Sequence, residues 1–530
     1  MNGVLLLMGI VILICIVAYR FTEKLPIPSL LIFILLGIIF GENGIFRIHF
    51  DNYRAAEIVC SIALVFIMYY GGFGTNVKAA RSVAVKSVVL STLGVVLTAA
   101  FTGVFAHYAL HLGWLESALI GSVIASTDAA SVFNILRTRN LNLKDNTASL
   151  LELESGSNDP MSYMLTVVVV SIMNGSNVSV PLMLFQQLFF GILFGLLIGK
   201  AAVWALNHRD FSIAQGNTIF VFSVAIIAYA LPILMGGNGY LSVYLCGILM
   251  GNSQIPEKRD LVRFFDVLTG IAQMMIFFLL GLLVTPVNLP HVIVPALLIA
   301  LFLTFVGRPL VVAGILAPFR SSLAQIGIVS WAGLRGVASI VFAIYAVLNY
   351  NNFTYNLFDL VFCIVLFSMA LQGTLLPAMS KWMNMIDENA DVRRTFNDYQ
   401  EENDVSFIKI HMDERHPWAH QKLRNIITPP DFLIALIARQ GEGFIVPGGD
   451  TEILPGDLLV IAGREFENRE NLTLKEVTVS PKNRFCNKHL REVDLPANSL
   501  IVMVQRQKET IIPCGDTLIL EDDTLVVAHY

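Results

Sequence analysis

The sequence Glu-Ser-Gly-Ser-Asn-Asp-Pro, residues 154–160, places two carboxylates inside a stretch that is otherwise apolar enough to cross a membrane. A charged side chain at the centre of a bilayer costs about 2.5–3.5 kcal/mol on insertion scales, so acidic residues at that depth usually face the interior of a helical bundle or a water-filled path. Residues in such places commonly bind or relay ions. The stretch therefore predicts a membrane protein that transports ions.

The composition favours the same class. The 530 residues are 55% hydrophobic and 14% charged, against roughly 25% charged residues in an ordinary soluble domain. The net charge is −5, and no basic block is interleaved with aromatic residues, which argues against nucleic acid as a partner. The six cysteines form neither a CxxC pair nor a Cys/His cluster. We therefore expect neither a disulfide framework nor a bound zinc ion.

Apolar runs of membrane-spanning length follow one another through residues 1–385, the predicted membrane domain, and Gly, Pro or charged residues separate them. The first run has no basic segment before it and no cleavage site after it, so we interpret it as a membrane helix and not as a removed signal peptide. The runs predict about thirteen helices, near 3–19, 26–41, 55–73, 88–110, 114–136, 148–172, 182–206, 217–235, 238–252, 264–284, 291–315, 323–347 and 357–380.

Lysine and arginine are distributed unevenly between the two sets of connections. One set contains basic residues at 20–24, 78–86, 137–144, 209, 258–263, 320 and 381, whereas the other contains only Arg47 and Arg54. Connections rich in Lys and Arg stay on the cytoplasmic side. We therefore expect a multi-pass protein of the cell (inner) membrane, in contact with the lipid bilayer, with its N-terminus outside and its C-terminal tail in the cytoplasm.

The tail is charged and repeats itself. Residues 386–404 are interpreted as a helical linker, and two similar segments follow at 405–466 and 474–530. Alternating apolar strands with Gly-Asp turns predict a small α+β module in each. A purely solubilising tail does not explain the duplication, so a regulatory or dimerising role is favoured. The repeated sequences are Lys422-Leu423-Arg424 with His489-Leu490-Arg491, and Gly449-Asp450-Thr451 with Gly515-Asp516-Thr517.

The acidic stretch has the chemistry of a cation site. On a helix over 148–172, Ser155 and Asp159 lie one turn apart on one face. Gly156 would let another backbone approach, and Pro160 releases the Gly156 carbonyl from its helical hydrogen bond. Burial favours a proton on Asp159 and a bound cation opposes it, so proton and cation should compete for the same oxygens. The alternative is a carboxylate that only pairs with an arginine, and for Glu154 this alternative is favoured.

Two polar interruptions break apolar helices, one at Ala125–Ala130 and the other at Trp331–Ser339. Such breaks in corresponding halves indicate discontinuous helices that cross at the midplane within inverted repeats. Asp128 is expected to cap an N-terminal half-helix end and Arg335 a C-terminal one. Thr127 is a further candidate ligand, and charge balance pairs Glu154 with Arg335.

These motifs together resemble the NhaP-like branch of the cation/proton antiporters: Asn158-Asp159 within Glu-Ser-x-x-Asn-Asp, Thr127-Asp128, and Gly333-Leu334-Arg335-Gly336. The resemblance covers roughly residues 1–385. It implies an all-α membrane fold of about thirteen helices in two inverted repeats, a homodimer, and a core domain that moves against a dimerisation domain.

The resemblance also implies roles for single residues. Asp159 would carry either the cation or the proton, with Ser155 and Thr127 completing the ion shell and Asn158 as the fourth ion-binding residue. Asn158 would stand where electrogenic relatives have a second Asp, which indicates one-for-one electroneutral exchange, and Glu154 would pair with Arg335. The chain departs from the family pattern where many relatives have an acid before Gly-Gly, because Tyr70 occupies that position.

The duplicated tail is similar to the ligand-binding RCK C-terminal (TrkA-C) domain of potassium channels and potassium/proton antiporters. The resemblance implies that the tail binds a small regulator, for which a cytosolic nucleotide is a candidate, and that it dimerises. It also favours potassium as the transported cation.

The sequence therefore predicts a secondary antiporter, not an enzyme, that exchanges K+ in preference to Na+ for H+ under control of its tail, with a role in pH homeostasis. We expect no cofactor besides the transported ions. One alternative is a ligand-gated cation channel, but no TVGYG-like filter is present. Another is a Na+/H+ antiporter with a purely structural tail. A membrane-anchored enzyme using Glu154 and Asp159 as an acid/base pair would leave the paired helix breaks unexplained.

Overall fold

The computed structural model divides into two compact units, Met1–Gln400 and Glu401–Tyr530. It describes residues 9, 13–14, 16–17 and 29–529, apart from 43, 139–140, 142, 176–178, 209–215, 288, 351, 388–404, 415, 417, 427–431, 440–442, 465–472, 480–484, 487, 494–498, 507–508, 512, 514 and 522.

The first unit is helical. Three of its long helices contain a five-residue π-helical segment, at Leu90–Gly94, Leu303–Gly307 and Met369–Gly373, a feature that is frequent at functional sites. From residue 29 the helices are α1 Ser29–Phe40, α2 Tyr53–Gly74, α3 Ala84–Leu110, α4 Trp114–Val123, α5 Ala129–Thr138, α6 Thr147–Met173, α7 Val180–His208, α8 Gly216–Leu234, α9 Gly239–Gly251, α10 Lys258–Leu283, α11 Leu289–Phe319, α12 Leu323–Trp331, α13 Val337–Asn349 and α14 Leu357–Trp382.

Within the described residues, seven helices are long and apolar enough to cross a membrane, namely α2, α3, α7, α8, α10, α11 and α14. Each predicted run from the second onward coincides with one helix or with a broken pair of helices. The first run, like the linker 386–404, lies mostly outside the described residues. The count of thirteen helices and the inverted repeats therefore stay predictions.

Two discontinuous helices cross, as predicted. Helix α4 ends at Val123 and α5 begins at Ala129, while α12 ends at Trp331 and α13 begins at Val337. The backbone N–H of Asp128 donates to the carbonyl oxygen of Leu334 at 2.8 Å. The hydroxyl oxygens of Ser126 and Ser339 are 3.1 Å apart. The two interruptions therefore share hydrogen bonds and bring four half-helix ends to one place.

Helix α9 packs against α2 through glycines. A Cβ on Gly72 would lie 2.3 Å from the carbonyl oxygen of Tyr244, and a Cβ on Gly247 would lie 2.3 Å from that of Tyr69. Any larger residue at either position would push the two backbones apart. The close approach sets the position of the α9 backbone at Tyr244, whose side chain reaches α6.

The second unit contains two antiparallel sheets with the same strand order, β1-β4-β2-β3 and β5-β8-β6-β7. Each sheet shifts register at the same place, between Ile434 and Leu436 in one and between Ile501 and Met503 in the other. The repeated Leu-Arg sequences form a short 310 turn in each, at Leu423–Asn425 and Leu490–Glu492. The strands are β1 Val405–His411, β2 Phe432–Arg439, β3 Gly443–Ile445, β4 Leu458–Arg464, β5 Thr473–Thr478, β6 Ser499–Arg506, β7 Glu509–Ile511 and β8 Thr524–His529.

Candidate functional site

The crossing of the broken helices places opposite charges at opposite half-helix ends. Nη1 of Arg335 donates to the carbonyl oxygens of Ala125 and Ser126, each at 2.8 Å, at the C-terminal end of α4. The carboxylate of Asp128 accepts from the backbone N–H and the hydroxyl of Ser131, at the N-terminal end of α5. Each charge faces the helix end whose dipole it complements. Asp128 and Arg335 therefore lie at the half-helix ends where the sequence predicts them.

Helix α6 is joined to the first break by three hydrogen bonds to Thr127. The Ser155 hydroxyl donates to the Thr127 carbonyl oxygen at 2.6 Å. Nδ2 of Asn158 donates to Thr127 Oγ1 at 2.6 Å, and the Thr127 N–H donates to Asn158 Oδ1 at 3.3 Å. All three residues are buried. The structure thus brings together three of the four residues that were expected to bind the ion.

Asp159, the fourth residue, follows Asn158 on α6 and is half-buried. Its Oδ1 atom is buried and has no hydrogen-bond partner among the described residues. A buried carboxylate oxygen without a partner is costly, and a bound proton or cation removes that cost. This atom therefore has the property that a carrier of either ion requires.

The expected pairing of Glu154 with Arg335 is wrong, because Glu154 pairs with Arg308. Nη2 of Arg308 donates to both carboxylate oxygens of Glu154, at 2.8 and 2.9 Å. The Arg308 side chain is 3% exposed and the Glu154 side chain 1%, so the ion pair is buried. Arg335 instead bonds the half-helix carbonyls, and Gly333 makes room for Arg308, since a Cβ there would lie 2.8 Å from Arg308 Nε.

Gly156 admits a side chain and not the backbone that we expected. A Cβ on Gly156 would lie 2.4 Å from Cε2 and 2.6 Å from the hydroxyl oxygen of Tyr244. Sequence reasoning missed both Tyr244 and the pairing role of Arg308. A tyrosine within an apolar run is typical of core packing, and the only sequence signal for its place is Gly156 itself.

Tyr70, at the position where relatives have an acid, faces another helix. Its hydroxyl donates to Oδ1 of Asp266 on α10 at 3.2 Å. Asp266 is exposed, so this contact lies away from the buried cluster around Thr127.

An aromatic cluster surrounds Tyr163 on α6. Tyr163 lies one turn beyond Asp159 on α6, toward Met173. Its ring centroid is 5.1 Å from that of Tyr240, 5.4 Å from that of Phe342 and 5.7 Å from that of Tyr345. Tyr163 and the rings that it contacts therefore lie on the Met173 side of Asp159 along α6.

The two tail modules repeat one buried ion pair. Nε and Nη2 of Arg439 each donate to Asp457 at 2.8 Å, and the same atoms of Arg506 donate to Asp523 at 2.8 and 2.7 Å. Both aspartates are 1% exposed. The guanidinium hydrogen bonds hold the pKa of Asp457 and that of Asp523 below the ordinary aspartate value.

Comparison with known proteins identifies the family of both units. The family "Sodium/hydrogen exchanger, transmembrane" matches residues 9–382, and the TrkA-C domain matches 410–465 and 474–528. The chain is 36% identical to the "K(+)/H(+) antiporter NhaP" of Alkalimonas amylolytica over 387 residues, 72% of this chain and 67% of that protein. It is 33% identical to the "K(+)/H(+) antiporter NhaP2" of Shewanella sp. (strain ANA-3) over 453 residues, 84% of this chain and 78% of that protein.

A solved structure has the same fold. The sodium proton antiporter MjNhaP1 from Methanocaldococcus jannaschii superimposes with a TM-score of 0.63 at 22% identity, covering 71% of this chain and 97% of that one. The chain therefore belongs to the sodium/hydrogen exchanger family, in its NhaP-like branch, and is a multi-pass membrane antiporter of cations and protons, not an enzyme, with a tandem TrkA-C tail.

Proposed function

We propose that the chain exchanges K+ for H+, with Asp159 holding one ion or the other. The observation that carries the proposal is the buried Asp159 Oδ1 atom, which has no hydrogen-bond partner among the described residues. Asp159 lies one helical turn from Ser155, whose hydroxyl bonds the Thr127 carbonyl oxygen. Proton and cation cannot occupy Asp159 Oδ1 together, and this exclusion couples their movements. The two relatives that are named as K(+)/H(+) antiporters support K+ over Na+.

The proposed exchange is electroneutral. Around the crossing, Glu154 is neutralised by Arg308, Asp128 caps α5, and the residue beside Asp159 is the neutral Asn158. Asp159 is then the one carboxylate of this cluster that changes charge during the cycle. One proton replaces one monovalent cation, and no net charge crosses the membrane.

Access to Asp159 is proposed to alternate between the two sides. Lys86 donates to Ser321 Oγ and Lys144 to the Asn384 carbonyl oxygen, each at 3.0 Å, so basic residues mark the Thr147 end of α6. Basic residues favour the cytoplasmic face. We therefore assign that end to the cytoplasm and the end with the aromatic cluster to the outside, which agrees with a cytoplasmic tail and an external N-terminus.

The tail is proposed to regulate exchange and to support a homodimer in the inner membrane. Its two TrkA-C modules have the same strand order and the same buried Arg–Asp pair, so the tail contains one structural unit twice. A cytosolic nucleotide is the candidate regulator. Truncation after Asp387 should leave exchange intact and alter its dependence on pH or regulator, whereas an unchanged profile would make the tail purely structural.

Exchange in proteoliposomes tests the function. A fluorescent pH probe inside the vesicles should report proton movement when K+ is added outside, with a smaller response to Na+ across the pH range. The response should persist when the membrane potential is clamped at zero. A steady current carried by the cation without proton movement would contradict the proposal and indicate a channel.

A further inference from the structure

Tyr244 has a buried hydroxyl with no hydrogen-bond partner among the described residues. The residue is 2% exposed and lies on α9, opposite α6. Leaving a phenol hydroxyl buried and unpaired typically costs about 1–3 kcal/mol. A buried polar group without a partner needs an explanation, such as a bound water or ion or a role in function.

The Tyr244 hydroxyl lies beside the acidic motif. Its oxygen would be 2.6 Å from a Cβ on Gly156, so the tip of the ring contacts α6 at that glycine. Asp159 is three residues further on, and residues three apart share one face of a helix. Asp159 Oδ1 is also buried and has no hydrogen-bond partner among the described residues. The two side chains are close enough to interact electrostatically.

The position of Tyr244 is set by packing and not by its hydroxyl. The Gly72 and Gly247 contacts hold the α9 backbone against α2, and Gly156 leaves room for the ring. The side chains of Thr75 and Ser157 are its polar neighbours, but the hydroxyl has no hydrogen-bond partner among the described residues. Its lone pairs are therefore available to a ligand.

We propose that the Tyr244 hydroxyl is a further oxygen ligand of the transported cation, which it binds together with Asp159, and that it sets cation preference. When Asp159 carries the proton instead, the same hydroxyl accepts a hydrogen bond from the carboxyl group. A neutral oxygen has a weaker field than a carboxylate, and the field strength of ligands affects selection between K+ and Na+. A site with one carboxylate and neutral oxygens favours the larger ion, which is less strongly hydrated. The inference rests on the proposed K+/H+ exchange and names the residue that gives its selectivity.

The test removes only this oxygen. In proteoliposomes, Tyr244→Phe should raise the apparent KM for K+ about tenfold, as expected for losing one polar contact to a charged group, and should reduce the preference for K+ over Na+. Tyr69→Phe is the matched control, because it removes another fully buried hydroxyl, which bonds the sulfur of Met250 at 3.2 Å. The control should leave KM and ion preference unchanged. In detergent, stabilisation of the folded protein by K+ should need tenfold more K+ for Tyr244→Phe.

The outcomes separate the two proposals. If wild-type protein exchanges K+ for H+ but Tyr244→Phe keeps the wild-type KM and ion preference, Tyr244 is not a ligand and the inference is overturned. If wild-type protein shows no K+/H+ exchange, the proposed function itself is overturned. Should Tyr244→Phe fail to fold, 3-fluorotyrosine at position 244 keeps the shape while weakening the oxygen as a ligand. It should still raise KM, and an unchanged KM would refute the inference.

Discussion

Asn158 and Thr127 exchange two hydrogen bonds across the break between α4 and α5, one from Nδ2 to Oγ1 at 2.6 Å and one from the Thr127 N–H to Oδ1 at 3.3 Å. An amide suits this place because it donates and accepts at once. The contact fixes the irregular backbone of the break to the helix that carries Asp159. The amide carries no charge, so the residue beside Asp159 is neutral.

Replacing Asn158 by Asp should make exchange electrogenic. The new carboxylate can still accept from the Thr127 N–H and can also accept from its hydroxyl, so the fold should persist. A second acid beside Asp159 would add charge to the transport cycle. Currents recorded from proteoliposomes on a solid-supported membrane should be absent for wild-type protein and present for the variant. A variant that exchanges cations and protons without current would show that charge at position 158 does not set stoichiometry.

The Glu154–Arg308 pair should stabilise the membrane unit and show strong coupling. Removing one partner of a buried pair costs about 3–5 kcal/mol, because the other charge stays buried and alone. Glu154→Gln and Arg308→Gln should each lower the apparent Tm in detergent. The decrease in apparent Tm of the double variant should be smaller than the sum of the decreases in the two single variants. Additive losses would mean that the two charges do not interact. Lys381→Gln, at an exposed position near the end of α14, serves as the control.

A methyl group at position 156 should collide with Tyr244. In Gly156→Ala the new Cβ would lie 2.4 Å from the ring, and the α6–α9 contact would have to shift. We expect a lower apparent Tm, measured by size-exclusion recovery after heating. Adding Tyr244→Leu removes the colliding ring atoms and should restore the Tm. A Tm that stays low in the double variant would place the strain elsewhere.

In acid, the backbone amides of both tail modules should lose their protection from hydrogen exchange over the same pH range. The pKa of Asp457 and that of Asp523 are lowered on folding, so these groups stabilise the folded modules above the unfolded aspartate value of about 4. This contribution is lost as pH falls through the lower, folded pKa. Hydrogen exchange of the full chain should show β4 and β8 protected equally at pH 7 and pH 5 and opening below about pH 4.

Variants of the Arg–Asp pairs separate this effect from general acid unfolding. Asp457→Asn should open the first module at pH 7 and leave the second protected, whereas Asp523→Asn should do the reverse. If both variants keep wild-type protection at pH 7 and in acid, the pairs do not stabilise the modules.

The helix breaks could be predicted from sequence because they depend on local chemistry. Ser126, Thr127 and Asp128 interrupt an apolar run, and Gly333 and Gly336 do the same in the other half, so a continuous helix is unfavourable at both places. The contact of Ser155 with Thr127 follows from the same reasoning, since both belong to polar segments that must be satisfied in the membrane.

The partner of Glu154 could not be predicted, because two arginines compete for one acid. Arg308 is 154 positions from Glu154, and its access depends on space left by Gly333. Charge balance alone cannot choose between Arg308 and Arg335. The place of Tyr244 likewise depends on how α9 packs against α2, which is a property of the assembled helices and not of the local sequence.

The most direct test compares two membrane carboxylates that have unpaired oxygens. Asp159 lies at the crossing, whereas Asp359 lies in the first turn of α14, with neither carboxylate oxygen bonded to a described residue. Cation-induced proton release from proteoliposomes should be abolished in Asp159→Asn and retained in Asp359→Asn, with both variants folded. Retained exchange in Asp159→Asn, or its loss only in Asp359→Asn, would contradict the account.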